Sequence, residues 1–171
     1  VNRPSLARTI RHFQDRLVES IHQRCLNFRN ERPAYCLAIN YGDVPEDSCV
    51  PTVGLGLLLP GQQIPRPMLP LGEEQEVWWN PAEFQSFGHP ALQPDDDDIQ
   101  ALDRVLAAAA AEGAAVEPRG LCRQIAARLD RCDWSGLNRA QDFLVYAVDD
   151  DLAHLATNLR FALKHHPSER P

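Results

Sequence analysis

Two acidic runs, Asp95-Asp96-Asp97-Asp98 and Asp149-Asp150-Asp151, hold the side chains whose type and spacing come nearest to a reactive centre. Carboxylates packed that closely could hold a hard cation through oxygen ligands. His154 follows Asp150 by one helical turn, so the two could pair as acid and base. The second run, however, lacks the alternating ligands and the glycine of a calcium-binding loop, and no third group identifiable from sequence completes a catalytic set. Acids at a helix start have a simpler use: they accept orphan amide hydrogen bonds and oppose the helix dipole. Both runs are therefore expected to cap helices, with no metal and no catalytic role.

Nucleophilic chemistry finds no support either. No serine lies in GxSxG, and neither GxxxxGK[ST] nor GxGxxG occurs. Val53-Gly54-Leu55-Gly56-Leu57 reads as a strand against which another group packs closely. The five cysteines (Cys25, Cys36, Cys49, Cys122, Cys132) are odd in number and form no CxxC pair, which fits buried reduced thiols better than a disulfide framework or a zinc site. His12, His22, His89, His165 and His166 are too scattered for a metal motif. The expectation is a chain that is not an enzyme and needs no cofactor.

Charge and aromatic residues point towards binding. With 24 acidic and 17 basic residues the formal charge is −7, which repels a phosphate backbone and attracts a basic partner. Trp78, Trp79, Phe84 and Phe87 lie close together and could form either a recognition patch or part of the core. The longest apolar stretch, Val53 to Leu59, is far short of the roughly 20 residues that span a bilayer. With no apolar leader at the start, the expected place is the cytoplasm, away from the membrane.

At 171 residues the chain fits one α+β domain with its own core. Ile10, Phe13, Leu17, Ile21, Cys25 and Phe28 recur at helical spacing from Ser5 to about Asn30. Two strands follow, Tyr35 to Tyr41 and Thr52 to Leu59, and no helical pattern between them means antiparallel pairing. A proline-rich loop at about 60–76 leads to Asn80-Pro81-Ala82-Glu83, a capping sequence for a short helix entered by the two tryptophans in extended form. Further helices are expected after Asp95 and Pro118, a third strand over Phe143 to Val148, and a last helix from about Asp150 to Lys164. The segment 61–74 and the tail 165–171 should be the mobile parts.

Between Ile125 and Leu163 lie Asp133-Trp134-Ser135, Asp142-Phe143-Leu144-Val145-Tyr146-Ala147-Val148-Asp149, Leu152 and Asn158-Leu159. In these residues the chain resembles an uncharacterised bacterial family. Trp79 to Phe84 is similar to that family's middle segment. Some members occur beside polymorphic toxin genes and are thought to act as immunity proteins. The resemblance implies a noncatalytic protein that neutralises a cognate bacterial toxin by contact, and it brings no catalytic residues.

Together these readings predict a small, mainly antiparallel sheet with helices on at least one face. The predicted contact residues are Asp96, Asp97, Asp150, Asp151, Trp78 and Trp79. The competing expectation is a small-ligand domain or enzyme built on Asp149 to Asp151 and His154. A pocket collecting those residues would favour it.

Overall fold

The computed structural model describes residues 6–42, 51–64, 66–111, 113 and 116–166. Cys49 and the tail from 167 to 171 lie outside them. The apolar period of the N-terminal segment produces helix α1 (Leu6–Asn27), which buries Leu17, Val18, Ile21 and Cys25. Strands β1 (Ala34–Tyr41) and β2 (Thr52–Leu57) pair antiparallel as expected, with Ile39 opposite Val53. There follow α2 (Glu73–Trp79), a single 3-10 turn at Pro81–Glu83, α3 (Asp96–Ala111), α4 (Pro118–Leu129), β3 (Arg139–Asp149) and α5 (Leu155–His165).

The fold is α+β, a three-stranded sheet in the order β2-β1-β3. β3 runs parallel to β1, because the chain returns from β2 through α3 and α4 before entering the sheet again. β1 is thus central and buried along its whole length. On one face Leu37, Ile39, Val53, Leu55, Phe143 and Val145 pack with α1, α4 and Leu102 of α3. On the other, Cys36, Ala38, Leu144, Tyr146 and Val148 pack with α5, Trp79 and Phe84. Helices therefore cover both faces.

Both sheet edges are closed by side chains. Ser86 Oγ accepts from the Leu55 amide at 2.8 Å and donates to its carbonyl at 2.7 Å. Gln93 does the same for Val53, at 2.8 and 2.9 Å, so the two side chains take the place of a fourth strand beside β2. On the far edge Asp130 accepts from the Val145 amide at 3.4 Å. Gly56 is required by a close approach: a Cβ there would lie 2.6 Å from Cys36 Sγ and from Tyr35 Cζ. The paired glycines thus accommodate close packing, with Tyr35 above Gly56 and Phe87 above Gly54.

Several local expectations are corrected. The tryptophans sit at the end of helix α2 rather than in an extended segment. Tyr35 and Tyr146 donate their hydroxyls to the carbonyls of Trp78 and Trp79, which have no helical partner at a C-terminus. Asn80 does cap, accepting from the Ala82 amide at 3.0 Å, but only one 3-10 turn follows before Phe84 enters the core. In the proline-rich loop Ile64, Leu69 and Leu71 pack on the second core and Pro67 is buried, while α2 begins at Glu73, inside the span expected to be loop. The start of the expected tail is also docked: His165 stacks on Phe161 at 4.2 Å and His166 caps α5.

Candidate functional site

Asp149 ends β3 with no exposed surface, and its carboxylate accepts from the His154 amide at 2.9 and 3.2 Å. Asn158 Nδ2 approaches Asp149 at 3.4 Å and bonds the Tyr41 hydroxyl at 3.1 Å, while Arg123 Nε donates to Asn158 Oδ1 at 2.7 Å. Asp150 accepts from Asn40, and Asp151 Oδ1 accepts from the Ala153 amide at 3.0 Å. These bonds hold a turn in which Leu152 adopts φ of 62°, and α5 begins only at Leu155, later than expected. The side chains win the amides that a helix starting at Asp150 would have used. His154 contributes its backbone to Asp149, in place of the expected ring contact with Asp150.

The other acidic run begins α3 as expected. Asp95 pairs with Arg24 and Asp98 with Arg16, which ties the start of α3 to α1; Asp96 and Asp97 remain exposed. Between the two helices lies an open cavity of about 580 Å³, walled by these ion pairs, Ser20 and Phe28. Among the described residues no three His, Cys, Asp or Glu side chains come together as a metal site.

The aromatic segment divides. Trp79 is 2 % exposed, packed edge-on against Tyr35 and Tyr146 at 5.7 and 5.6 Å, so burial takes it out of the expected partner surface and leaves it only an edge on a neighbouring cavity. Trp78 is half-buried and faces outward. With Val77 and Leu59, which are 53 % and 54 % exposed, it walls a groove of about 370 Å³ that also takes in Leu57 and Phe84. Arg32, Glu83 and Gln85 form a polar rim, where Arg32 donates to Gln85 Oε1 at 2.7 Å. A second cavity of about 630 Å³ adjoins the groove through Tyr35, Gln62 and Ile64. None of these three cavities is lined by Asp149, Asp150, Asp151 or His154.

No family model matches this chain, and neither a curated protein nor a solved structure does so. Among the described residues, no helix is long and apolar enough to cross a membrane. Cys25 and Cys36 are poor nucleophiles: burial pushes Cys25 up to about 12 and raises Cys36 as well.

Sequence reasoning missed Leu59 and Val77, because an exposed apolar side chain has no signature until its neighbours are known. It also missed the pairing of buried Asp130 with the partly buried His166, Nδ1 at 3.0 Å, beside the outer edge of β3. Its one signal was an aspartate at the C-terminal end of a helix, where the dipole favours cations and an acid therefore needs a partner.

Proposed function

We propose that this chain is a noncatalytic, cytoplasmic protein-binding domain whose contact surface centres on the groove between Leu59, Val77 and Trp78. The observation that carries this reading is the exposure of two aliphatic side chains beside an aromatic one around a concave apolar floor with a polar rim. Interface hot spots have that composition: a desolvated anchor pocket surrounded by groups that exclude water. The acidic triplet, by contrast, is engaged in holding a turn, which favours binding over the enzyme alternative.

The partner class comes from the resemblance of Ile125 to Leu163: a bacterial toxin encoded beside this gene. A formal charge of −7 suits a basic partner, with Asp96, Asp97, Asp150 and Asp151 as exposed acids that would speed encounter. The test is rescue of cells expressing the neighbouring toxin. Wild type should rescue, and a variant carrying Asp96→Lys and Asp97→Lys should associate more slowly without unfolding. Failure of the wild type to rescue would overturn the toxin assignment for that pair.

A further inference from the structure

We propose that the cavity of about 630 Å³ between the start of β3 and the proline-rich loop binds a zwitterion with an apolar side chain, either an amino acid or a short peptide with free termini. The opening originates in the register of the parallel ladder. Ala34 stands opposite Arg139 but Cys36 opposite Leu144, so four residues of β3, Ala140 to Phe143, face the single residue Tyr35. Such an excess bends a strand away from its neighbour. Ala140, Gln141 and Asp142 line the gap this creates.

Its walls combine two chemistries. Tyr35, Leu58, Ile64 and Trp79 supply apolar surface for a hydrocarbon side chain, and Gln62, Gln63 and Gln141 bring primary amides that can both donate and accept. Arg66 and Asp142 add one charge of each sign. These two also line a much smaller neighbouring cavity with Leu144, Leu163 and His166. Arg66 has a partner within the protein, but a guanidinium carries five N–H donors and can take a carboxylate as well. Asp142 is exposed and available to an ammonium. The volume falls in the range of small-molecule sites. The cavity adjoins the partner groove, but Arg66 and Asp142 do not line that groove, so failure of ligand binding would leave the partner reading intact.

The test is titration calorimetry of the full chain with L-leucine, L-phenylalanine, leucyl-leucine and N-acetyl-leucinamide. Saturable binding is expected for a zwitterion and not for the blocked amide, which lacks both charges. Asp142→Asn and Arg66→Gln, both at exposed positions, should each weaken binding by about tenfold or more. Binding of the single amino acids would identify the free monomer as ligand, and binding of the dipeptide alone would identify a peptide. The proposal is overturned if no zwitterion binds at up to about 10 mM, if the blocked amide binds equally well, or if neither variant changes the affinity.

Discussion

Replacing Gly56 by alanine tests how a single close approach positions the proposed surface. The new Cβ would lie 2.6 Å from Cys36 Sγ and Tyr35 Cζ and 2.7 Å from Tyr35 Cε1, inside van der Waals contact with two buried side chains. Tyr35 cannot simply swing aside, because its ring packs on Trp79 and Phe84 and its hydroxyl holds the carbonyl of Trp78. Overpacking of this kind costs about 1–3 kcal/mol. For a chain of this size that corresponds to a fall in Tm of about 2–12 °C. Gly120→Ala is the control: its nearest neighbour would be Glu117 Oε2 at 3.7 Å, and relief of a glycine in helix α4 should stabilise by about 0.5–1 kcal/mol. Urea and thermal unfolding followed by tryptophan fluorescence measure both. Since Tyr35 anchors α2, the emission of folded Gly56→Ala should also shift. A Gly56→Ala protein as stable as wild type would refute the claim that Tyr35 is held without slack between β2 and α2.

Ser86→Ala should lose stability beyond the effect of one hydroxyl, because both backbone groups of Leu55 are left unpaired at a buried edge, each costing about 1–3 kcal/mol; urea unfolding measures it. Burial lifts the Asp130 carboxyl above the ordinary carboxylate range, with His166 and the Val145 amide pulling it back. A raised folded value means this residue favours the fold when protonated, so its contribution is full below the ordinary value of 3.8 and is lost as pH rises through the folded value. Unfolding free energies measured from about pH 3.8 upward should therefore fall less with pH in Asp130→Asn than in wild type; parallel profiles would contradict this. Calorimetric titration with calcium, magnesium and manganese should give no stoichiometric micromolar response, and one abolished by Asp150→Ala would revive the metal reading.

Elements whose pattern is local were legible in the sequence. The periods of α1 and α4 mark Leu17, Ile21 and Cys25 on one helix and Leu121, Ile125 and Leu129 on the other, and all six are buried. Trp134 packs where α4 ends, its indole N–H bonding the Leu129 carbonyl at 2.9 Å. What depends on distant partners was not legible. The parallel pairing of β3 with β1 joins segments about a hundred residues apart. α2 was hidden by the prolines before it, and its end is held by tyrosines from two strands that carry no local mark of that role. At Asp149 the acidic composition suggests a helix cap, but α5 takes no side-chain cap: Asp149 and Asp151 bond nearby amides and make a turn first. The groove beside Trp78 was half legible: the aromatic pair announced it, while which ring faced outward was decided by the packing of Trp79 between Tyr35 and Tyr146.

The most direct test of the proposed surface is the affinity of Val77→Asp for the protein encoded beside this gene, measured by titration calorimetry against wild type. Val77 is more than half exposed, so a charge there should leave the melting temperature nearly unchanged while placing a carboxylate at the edge of the apolar groove. The account predicts tight binding by wild type and a loss of tenfold or more, about 1.4 kcal/mol or above, in the variant. Equal, tight binding by both proteins would contradict it and move the interface away from Leu59, Val77 and Trp78.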